Sequence, residues 1–494
     1  MNDRRRRAVL LLLGWVACDD PPPSGKGTSP VDDTGSATTP PTADLLDACD
    51  ADATTRIVGE EYEGAGNRVA WVPDVDGDGG DDLAVSSYYG TRTCIYPGSA
   101  EGALRAEDAL SCLFQVTEYE FAGTALDAGG DLDGDGTSEL LIGAIGNATN
   151  GQYAGAIYVL SGPPPSGEGS LAAATTLLLG ENAGDYAGQG AEGAGDVNGD
   201  GFADLLVGAD GNDQAGNGSG KAYLLYGPLA PGVVQLADVA TVFVGEGPEV
   251  IPPPHGAPAA GDGAGRALGG GGDVDGDGLA DLLLGLNGSD RAGLDAGAIA
   301  VLFGPVGEGT WVLDDAGTVY LGSVEHPLMG DEVALLGDLN GDGRDDIMST
   351  TNMDDAGRVW VLPGARPSGV LTISASYASF TGSAGSGEQA GYGISGGLDM
   401  DGDGAGDLVI GAPFDDTVAV DGGRIYLVRG PFSPGNTELA GADGWDGVEE
   451  MDYAGRSVAL GDGDADGRAE LAWGAYFNDA GGYFAGSACV AGLP

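Results

Sequence analysis

The stretch DVDGDGGDD at residues 74–82 decides the fold, because its pattern returns six more times along the chain. In this nine-residue loop, position 1 is Asp, position 3 is Asp or Asn, position 5 is Asp, position 6 is Gly and position 9 is Asp or Glu. The other copies are DLDGDGTSE at 131–139, DVNGDGFAD at 196–204, DVDGDGLAD at 273–281, DLNGDGRDD at 338–346, DMDGDGAGD at 399–407 and DGDADGRAE at 462–470. Such a repeat predicts an array of equivalent structural units.

Each unit reads as four short β-strands. In the third copy, segments 189–195, 204–209 (DLLVGA), 220–226 (GKAYLLY) and 241–244 are short runs bounded by Gly, Asn, Asp and Pro, which is a pattern of strands and turns. No stretch keeps a helical period. Four strands repeated radially are typical of a propeller blade, and seven units fall within the usual range of blade numbers. We therefore predict an all-β, seven-bladed β-propeller with four-stranded antiparallel blades.

The two ends of the repeat predict how the ring closes. The seventh copy stops after its third strand, residues 487–491. Upstream of the first loop, residues 54–59 (TTRIVG) resemble the fourth-strand segments 176–180 (TLLLG) and 318–322 (TVYLG). We expect the N-terminal strand to complete the last blade, which leaves no open edge.

The N-terminal region carries targeting signals. Residues 1–17 are predicted as a signal peptide, with the basic run Arg4–Arg7 followed by an apolar stretch too short to span a bilayer. The sequence then reads WVAC at 15–18, which resembles a bacterial lipobox and implies lipidation of Cys18; ordinary secretion is the alternative. Residues 18–49 are rich in Pro, Ser, Thr, Gly and Asp and are predicted as a disordered linker, which leaves residues 50–494 for the propeller.

The charge balance excludes some partners. The chain has 77 Asp and Glu against 19 Lys and Arg, and its net charge of -58 repels nucleic acid and anionic lipid. With 42% apolar residues it has enough for a packed core, so the acidic residues need a counter-ion. We expect a monomer without a nucleic-acid partner, attached to a membrane by its N-terminal lipid only.

The loops offer oxygen atoms at the spacing that calcium requires. Calcium prefers six to eight oxygen ligands, and side chains that alternate along a short loop can wrap it. Positions 1, 3, 5 and 9 offer side-chain oxygens, position 7 offers its backbone carbonyl, and Gly at position 6 permits the turn. The predicted ligands of up to seven calcium ions are Asp74, Asp76, Asp78, Gly80, Asp82, Asp131, Asp133, Asp135, Thr137, Glu139, Asp196, Asn198, Asp200, Phe202, Asp204, Asp273, Asp275, Asp277, Leu279, Asp281, Asp338, Asn340, Asp342, Arg344, Asp346, Asp399, Asp401, Asp403, Ala405, Asp407, Asp462, Asp464, Asp466, Arg468 and Glu470.

Two alternative readings of the loops are weaker. An EF-hand needs a bidentate Glu at position 12, where the seven copies have Val85, Ile142, Val207, Leu284, Ser349, Ile410 and Trp473. EF-hands are therefore excluded. Asp-Gly clusters can also be plain turns, but seven copies in register argue against that reading.

The repeat resembles the FG-GAP repeats of integrin α-subunit propellers and their bacterial relatives. The elements that carry the resemblance are FAG at 121–123, YAG at 186–188 and 453–455, GAP at 411–413, and partial GA matches at 208–209 and 474–475. A glycine also lies eight residues before the loop in six copies, at Gly66, Gly123, Gly188, Gly265, Gly330 and Gly391, with Ala454 in the last. The resemblance implies calcium on the lower face and partners on the upper face or rim. The integrin insertion domain has no counterpart here.

Four further cysteines predict disulfides, which are the usual state in exported proteins. They allow three connectivities, and four separate thiols are the alternative. Cys94 lies in the third strand of the first blade and Cys112 enters its fourth, so we predict a Cys94–Cys112 bridge. Cys489 has the position of Cys94 in the seventh blade, whose last strand begins just after Cys49, so we predict a second bridge between Cys49 and Cys489.

The sequence favours binding over catalysis. Its two histidines, His255 and His326, stand in loops predicted to lie on the face opposite the calcium loops, and no motif indicates a nucleophile or a phosphate cradle. We expect a calcium-binding extracytoplasmic interaction or adhesion scaffold at the cell envelope, otherwise secreted. Its unidentified protein or glycan partner would bind on that opposite face, where the longest loop is 247–263. The alternative is a calcium-dependent propeller enzyme, either a polysaccharide lyase or a phosphatase or other hydrolase.

Overall fold

The computed structural model describes residues 53–88, 92–247, 261–313, 317–323, 328–351, 356–383 and 385–493. Their strands form seven sheets, one for each sequence repeat. The prediction of an all-β propeller with seven blades is therefore confirmed. Four 3-10 helices also lie within these ranges, at Ala106–Asp108, Leu171–Ala173, Leu236–Asp238 and Ile373–Ala375. No helix in the described part of the chain has the length and apolar character needed to cross a bilayer.

Each blade has four antiparallel strands, and the first strands of neighbouring blades contact each other around the central axis in six of the seven neighbouring pairs of the described residues. From the first strand outward they are β2 (Ala65–Val72), β3 (Asp82–Ser87), β4 (Arg92–Tyr96) and β6 (Ser111–Phe114) in blade one; β7 (Ala122–Ala128), β8 (Leu140–Ala144), β9 (Ala156–Leu160) and β11 (Thr176–Leu179) in blade two; β12 (Ala191–Gly195), β13 (Asp204–Ala209), β14 (Lys221–Leu225) and β16 (Thr241–Val244) in blade three; β17 (Leu268–Gly272), β18 (Asp281–Leu286), β19 (Ala298–Leu302) and β21 (Thr318–Leu321) in blade four; β22 (Val333–Leu335), β23 (Ile347–Thr351), β24 (Arg358–Leu362) and β26 (Ala378–Thr381) in blade five; β27 (Gly393–Gly396), β28 (Leu408–Ala412), β29 (Arg424–Val428) and β31 (Gly444–Asp446) in blade six; and β32 (Val458–Gly461), β33 (Glu470–Ala475), β34 (Ser487–Ala491) and β1 (Thr55–Val58) in blade seven.

Six sheets carry a fifth strand that the sequence reading did not predict. This strand pairs in parallel with the fourth strand of one blade but belongs to the unit of the next blade, so it joins neighbouring blades at the rim. The fifth strands are β5 (Gly102–Leu104), β10 (Gly167–Ser170), β15 (Gly232–Gln235), β20 (Gly309–Val312), β25 (Gly369–Thr372) and β30 (Gly435–Glu438). The prediction of four-stranded antiparallel blades is therefore correct for the body of each blade and incomplete at its outer edge.

The ring closes as predicted. β1 pairs antiparallel with β34, with Thr55 opposite Val490 and Val58 opposite Ser487, so the N-terminal strand completes blade seven. Across the seam between blades seven and one, the indole Nε1 of Trp71 donates to the carbonyl of Ala459 at 3.3 Å. The same indole packs on Gly461, where an added Cβ would lie 2.3 Å from the Trp71 Cγ.

One predicted disulfide is present. Cys94 and Cys112 lie directly opposite each other in β4 and β6, with 4.0 Å between their Cα atoms, so the predicted bridge is confirmed. Cys489 in β34 is also disulfide-bonded. Cys18 and Cys49 lie outside the described residues, and the Cys49–Cys489 pairing and the lipid on Cys18 stay predictions.

We expect Gly461→Ala to weaken the seam, because its Cβ would overlap the buried Trp71 ring. Overpacking of this kind costs about 1–3 kcal/mol of unfolding free energy. Denaturant unfolding measures the loss. Gly307→Ala is the control, since none of the described residues has an atom within 4 Å of its Cβ position. Equal stabilities of the two variants would contradict this account of the seam.

Candidate metal centre

All seven acidic loops lie on one face of the propeller. Each connects the first and second strands of its blade, and we number the loops one to seven with their blades. Because the strands alternate in direction, the turn between the third and fourth strands lies on this same face. The connections between second and third strands, and those that lead into the next blade, lie on the opposite face.

The position 1 carboxylate shapes each loop by accepting backbone N–H groups. In loop three, Asp196 Oδ1 accepts from Gly199 at 2.7 Å and Asp200 at 3.1 Å, and its Oδ2 accepts from Gly201 at 2.8 Å. Gly199 and Gly201, at positions 4 and 6, have φ of 79° and 92°. The turn thus needs two left-handed residues, whereas the sequence reading noticed only the glycine at position 6.

Loop seven departs from this rule at position 4. There Ala465 replaces glycine, and its φ of 58° keeps the left-handed backbone of the other copies. An L-residue in this region costs roughly 1 kcal/mol relative to glycine. Loop seven is therefore more strained than the other loops at this position.

The position 9 carboxylate is buried in six of the seven loops and half-buried in loop seven, and most of these carboxylates join the loop to the turn after the third strand. In loop three, Asp204 Oδ2 accepts the N–H of Val197 at 3.0 Å, and its Oδ1 accepts that of Gly227 at 2.9 Å, in the turn after the third strand. Asp281, Asp346 and Asp407 make the same two contacts in their blades. These four aspartates therefore hold their acidic loops against the adjacent turns.

Burial changes the titration of the position 9 groups. Loss of water around the carboxyl raises the pKa to about 6 for Asp82, Asp204, Asp281 and Asp346, and to about 7 for Glu139 and Glu470. At position 5, by contrast, hydrogen bonds from Thr137 lower the pKa of Asp135. Burial at position 9 and hydrogen bonding at position 5 thus shift the pKa values of carboxylates in one loop in opposite directions.

Five loops bring three carboxylates together, with candidate ligand oxygens within 4.8 Å of one another. These groups are Asp74, Asp76 and Asp78; Asp131, Asp133 and Glu139; Asp273, Asp275 and Asp281; Asp399, Asp401 and Asp407; and Asp462, Asp464 and Glu470. In loops three and five, position 3 is Asn, and the Asn198 and Asn340 amides donate to Asp200 at 3.0 Å and Asp346 at 2.6 Å. An all-oxygen donor set of this kind fits calcium.

Two arginines that the sequence reading did not select also reach these loops. Arg366 Nη1 lies 2.5 Å from Asp275 Oδ2 and 3.1 Å from Asp277 Oδ2 in loop four. Arg429 Nε lies 3.3 Å from Asp401 Oδ2 in loop six. Both follow the third strand of a blade, so fixed positive charge comes from the same turns that hold position 9.

A family model described as the FG-GAP repeat matches residues 122–160, 190–225, 329–362 and 390–428. The chain contains FG-GAP repeats. Each matched segment covers the first three strands of a blade and the acidic loop between the first two, in blades two, three, five and six. The glycine before the loop also has a structural counterpart in blade seven. It is Gly455 and not Ala454, because Ala454 forms the bridge that Ala187 and Ala264 form in other blades.

A second repeated element fixes the opposite face. A buried carboxylate just before the FG element accepts an Asn side-chain amide from the loop between the second and third strands. The pairs are Glu120 with Asn147 at 2.9 Å, Asp185 with Asn212 at 2.9 Å and Asp452 with Asn478 at 3.1 Å. The sequence reading missed these residues, although an acidic residue precedes the FG element in each of these copies. His255 and His326 lie outside the described residues.

We expect Ala465→Gly in loop seven to raise the unfolding free energy by about 0.5–1 kcal/mol, because glycine adopts the left-handed backbone without strain. Gly341→Ala at position 4 of loop five is the matched opposite change. Its φ is 80° and its Cβ position is open, so backbone strain alone should lower stability. Chemical denaturation in chelator measures both variants. A stabilising Gly341→Ala change would contradict the prediction.

Proposed function

We propose that this protein is a calcium-stabilised, non-catalytic interaction scaffold outside the cytoplasm, tethered to the cell envelope by lipid on Cys18. The convergence of carboxylate oxygens in the acidic loops supports calcium binding. The Cys94–Cys112 bridge supports export, since such bonds persist in oxidising compartments. FG-GAP repeats and a rigid ring of blades support a role in binding.

The observation that carries the binding role is where the exposed apolar side chains lie. Eight of the twelve large exposed hydrophobic residues in the described part of the chain belong to loops of the face opposite calcium: Tyr62, Val116, Tyr119, Leu294, Val418, Val420, Met451 and Tyr483. Three others, Val233, Val312 and Val370, are on fifth strands. Concentrated apolar exposure of this kind marks interaction surfaces.

An aromatic platform supports this surface at blades seven and one. We define it as Tyr62, Tyr88, Tyr476, Phe477, Tyr483 and Phe484, whose successive ring centroids lie 4.1–5.7 Å apart. Tyr62 and Tyr483 are 59% and 53% exposed, while Tyr476, towards the other end of this series of rings, is buried. Rigid tyrosines on a packed base contribute large contact area at low entropic cost, which is typical of binding surfaces.

We expect calcium removal to lower the melting temperature substantially. At 10 mM calcium, sites with dissociation constants of 10⁻⁴ to 10⁻³ M would each contribute about 1.4–2.7 kcal/mol of stability. Calorimetry in chelator, then after calcium is restored, measures the change. An unchanged melting curve in protein shown to be metal-free would refute calcium stabilisation.

We expect the partner to contact the aromatic platform. The wild-type protein would first be screened against envelope proteins and glycans in calcium. Tyr62→Ser with Tyr483→Ser should then weaken binding of the selected partner at least tenfold, because exposed tyrosines often carry much of the binding energy. Val233→Ser and Val312→Ser on the rim are matched controls for loss of exposed apolar area. If the rim variants weaken binding as much as the platform variant, the proposed face is wrong.

A further inference from the structure

Neighbouring acidic loops are joined by a backbone hydrogen bond. The N–H at position 8 of one loop donates to the carbonyl at position 1 of the loop in the preceding blade. Five of the seven neighbouring pairs have this bond: Ala203 to Asp131 at 3.2 Å, Ala280 to Asp196 at 3.1 Å, Asp345 to Asp273 at 3.2 Å, Ala469 to Asp399 at 3.0 Å and Asp81 to Asp462 at 2.9 Å. The described residues show no such bond from Ser138 in loop two or from Gly406 in loop six.

The position 7 residues also contact the preceding loop, and these contacts follow the same distribution around the ring as the position 8 hydrogen bonds. The Phe202 ring lies 2.6 Å from the place that a Cβ would take at Gly134, at position 4 of the preceding loop. Leu279, Arg344 and Arg468 approach Gly199, Gly276 and Gly402 in the same way, at 3.1–3.4 Å. Between loops seven and one, Gly80 packs directly on the Gly463 carbonyl.

The two remaining loop pairs lack this contact. Position 4 is Gly77 in loop one and Gly341 in loop five, and within the described residues no atom lies within 4 Å of a Cβ at either. The position 7 residues of the following loops, Thr137 and Ala405, therefore do not reach them. The position 8 hydrogen bonds and the position 7 contacts are thus missing at the same two places in the described residues, between loops one and two and between loops five and six.

We propose that calcium binds cooperatively within two separate runs of loops, two-three-four-five and six-seven-one, and independently across the two breaks. This inference rests on the proposed calcium binding. Position 8 stands between the predicted ligands at positions 7 and 9, so an ion bound in one loop would fix the position 8 N–H. That N–H donates to the position 1 carbonyl of the preceding loop and would therefore order that loop as well. Such coupling acts equally in both directions.

Asp342→Asn in loop five tests the proposal, because loops four and six both border loop five but only loop four is linked to it. Asn keeps the side chain's size and can still accept the N–H of Arg344. Amide exchange of residues 273–281 and 399–407 would be followed in the full chain as calcium is titrated. We expect the calcium concentration that gives half-maximal protection to rise at least fivefold for loop four and to change less than twofold for loop six.

The reciprocal variant is Asp403→Asn in loop six. It should raise the calcium concentration for half-maximal protection of loop seven, residues 462–470, and leave that of loop five unchanged. Equal shifts on both sides of the altered loop, or none on either side, would overturn the two-run proposal. Wild-type loops without any calcium-dependent protection would instead refute calcium binding itself. Without calcium, amide exchange of β13 and β18 at the wild-type rate shows that the variants fold normally.

Discussion

Each blade holds three to five carboxylates in one nine-residue turn, and the compensation of their charge governs the rest of the structure. Backbone N–H groups compensate part of it: in loop three, Asp196 alone accepts three. Pointing these N–H groups inward needs left-handed backbone at positions 4 and 6, which accounts for much of the glycine in the loops. Arg366 and Arg429 add fixed positive charge at loops four and six. A bound cation would complete the compensation in every blade.

The repeat made the fold predictable, because seven loops in register determine the number of blades and the positions of the four antiparallel strands in each. Ring closure followed from residues 54–59, which match a missing fourth strand. The fifth strands were not predictable, since segments such as GEGS at Gly167–Ser170 and GNTE at Gly435–Glu438 show no apolar alternation. Their pairing partner comes from another blade, so no local pattern reports it. The misplaced marker Ala454 has a similar cause, because blade seven is one residue shorter between Gly455 and its loop.

The candidate ligand residues could be chosen from spacing alone, but their different places in the loop structure could not. Position 9 looks in sequence like any other acidic position, yet Asp204 is fully buried and holds the loop to the turn at Gly227. The opposite face was predicted to carry function because of its long loops and two histidines. The exposed residues that support a binding surface there are instead residues such as Tyr62 and Tyr483. These two rings are neighbours only because the propeller ring brings blades seven and one together.

In the proposed function, one face of the propeller provides stability and the other provides binding. On the face of the acidic loops, neighbouring loops contact each other across blades through backbone bonds such as Ala280 to Asp196. On the opposite face, buried pairs such as Asp452 with Asn478 fix the base of each loop and leave its tip exposed. Four-stranded blades separate the two faces, so loop tips can vary in sequence without disturbing the acidic loops. A rigid ring of this kind suits a binding scaffold, because its recognition surface can change while the charge compensation that maintains the blades stays the same.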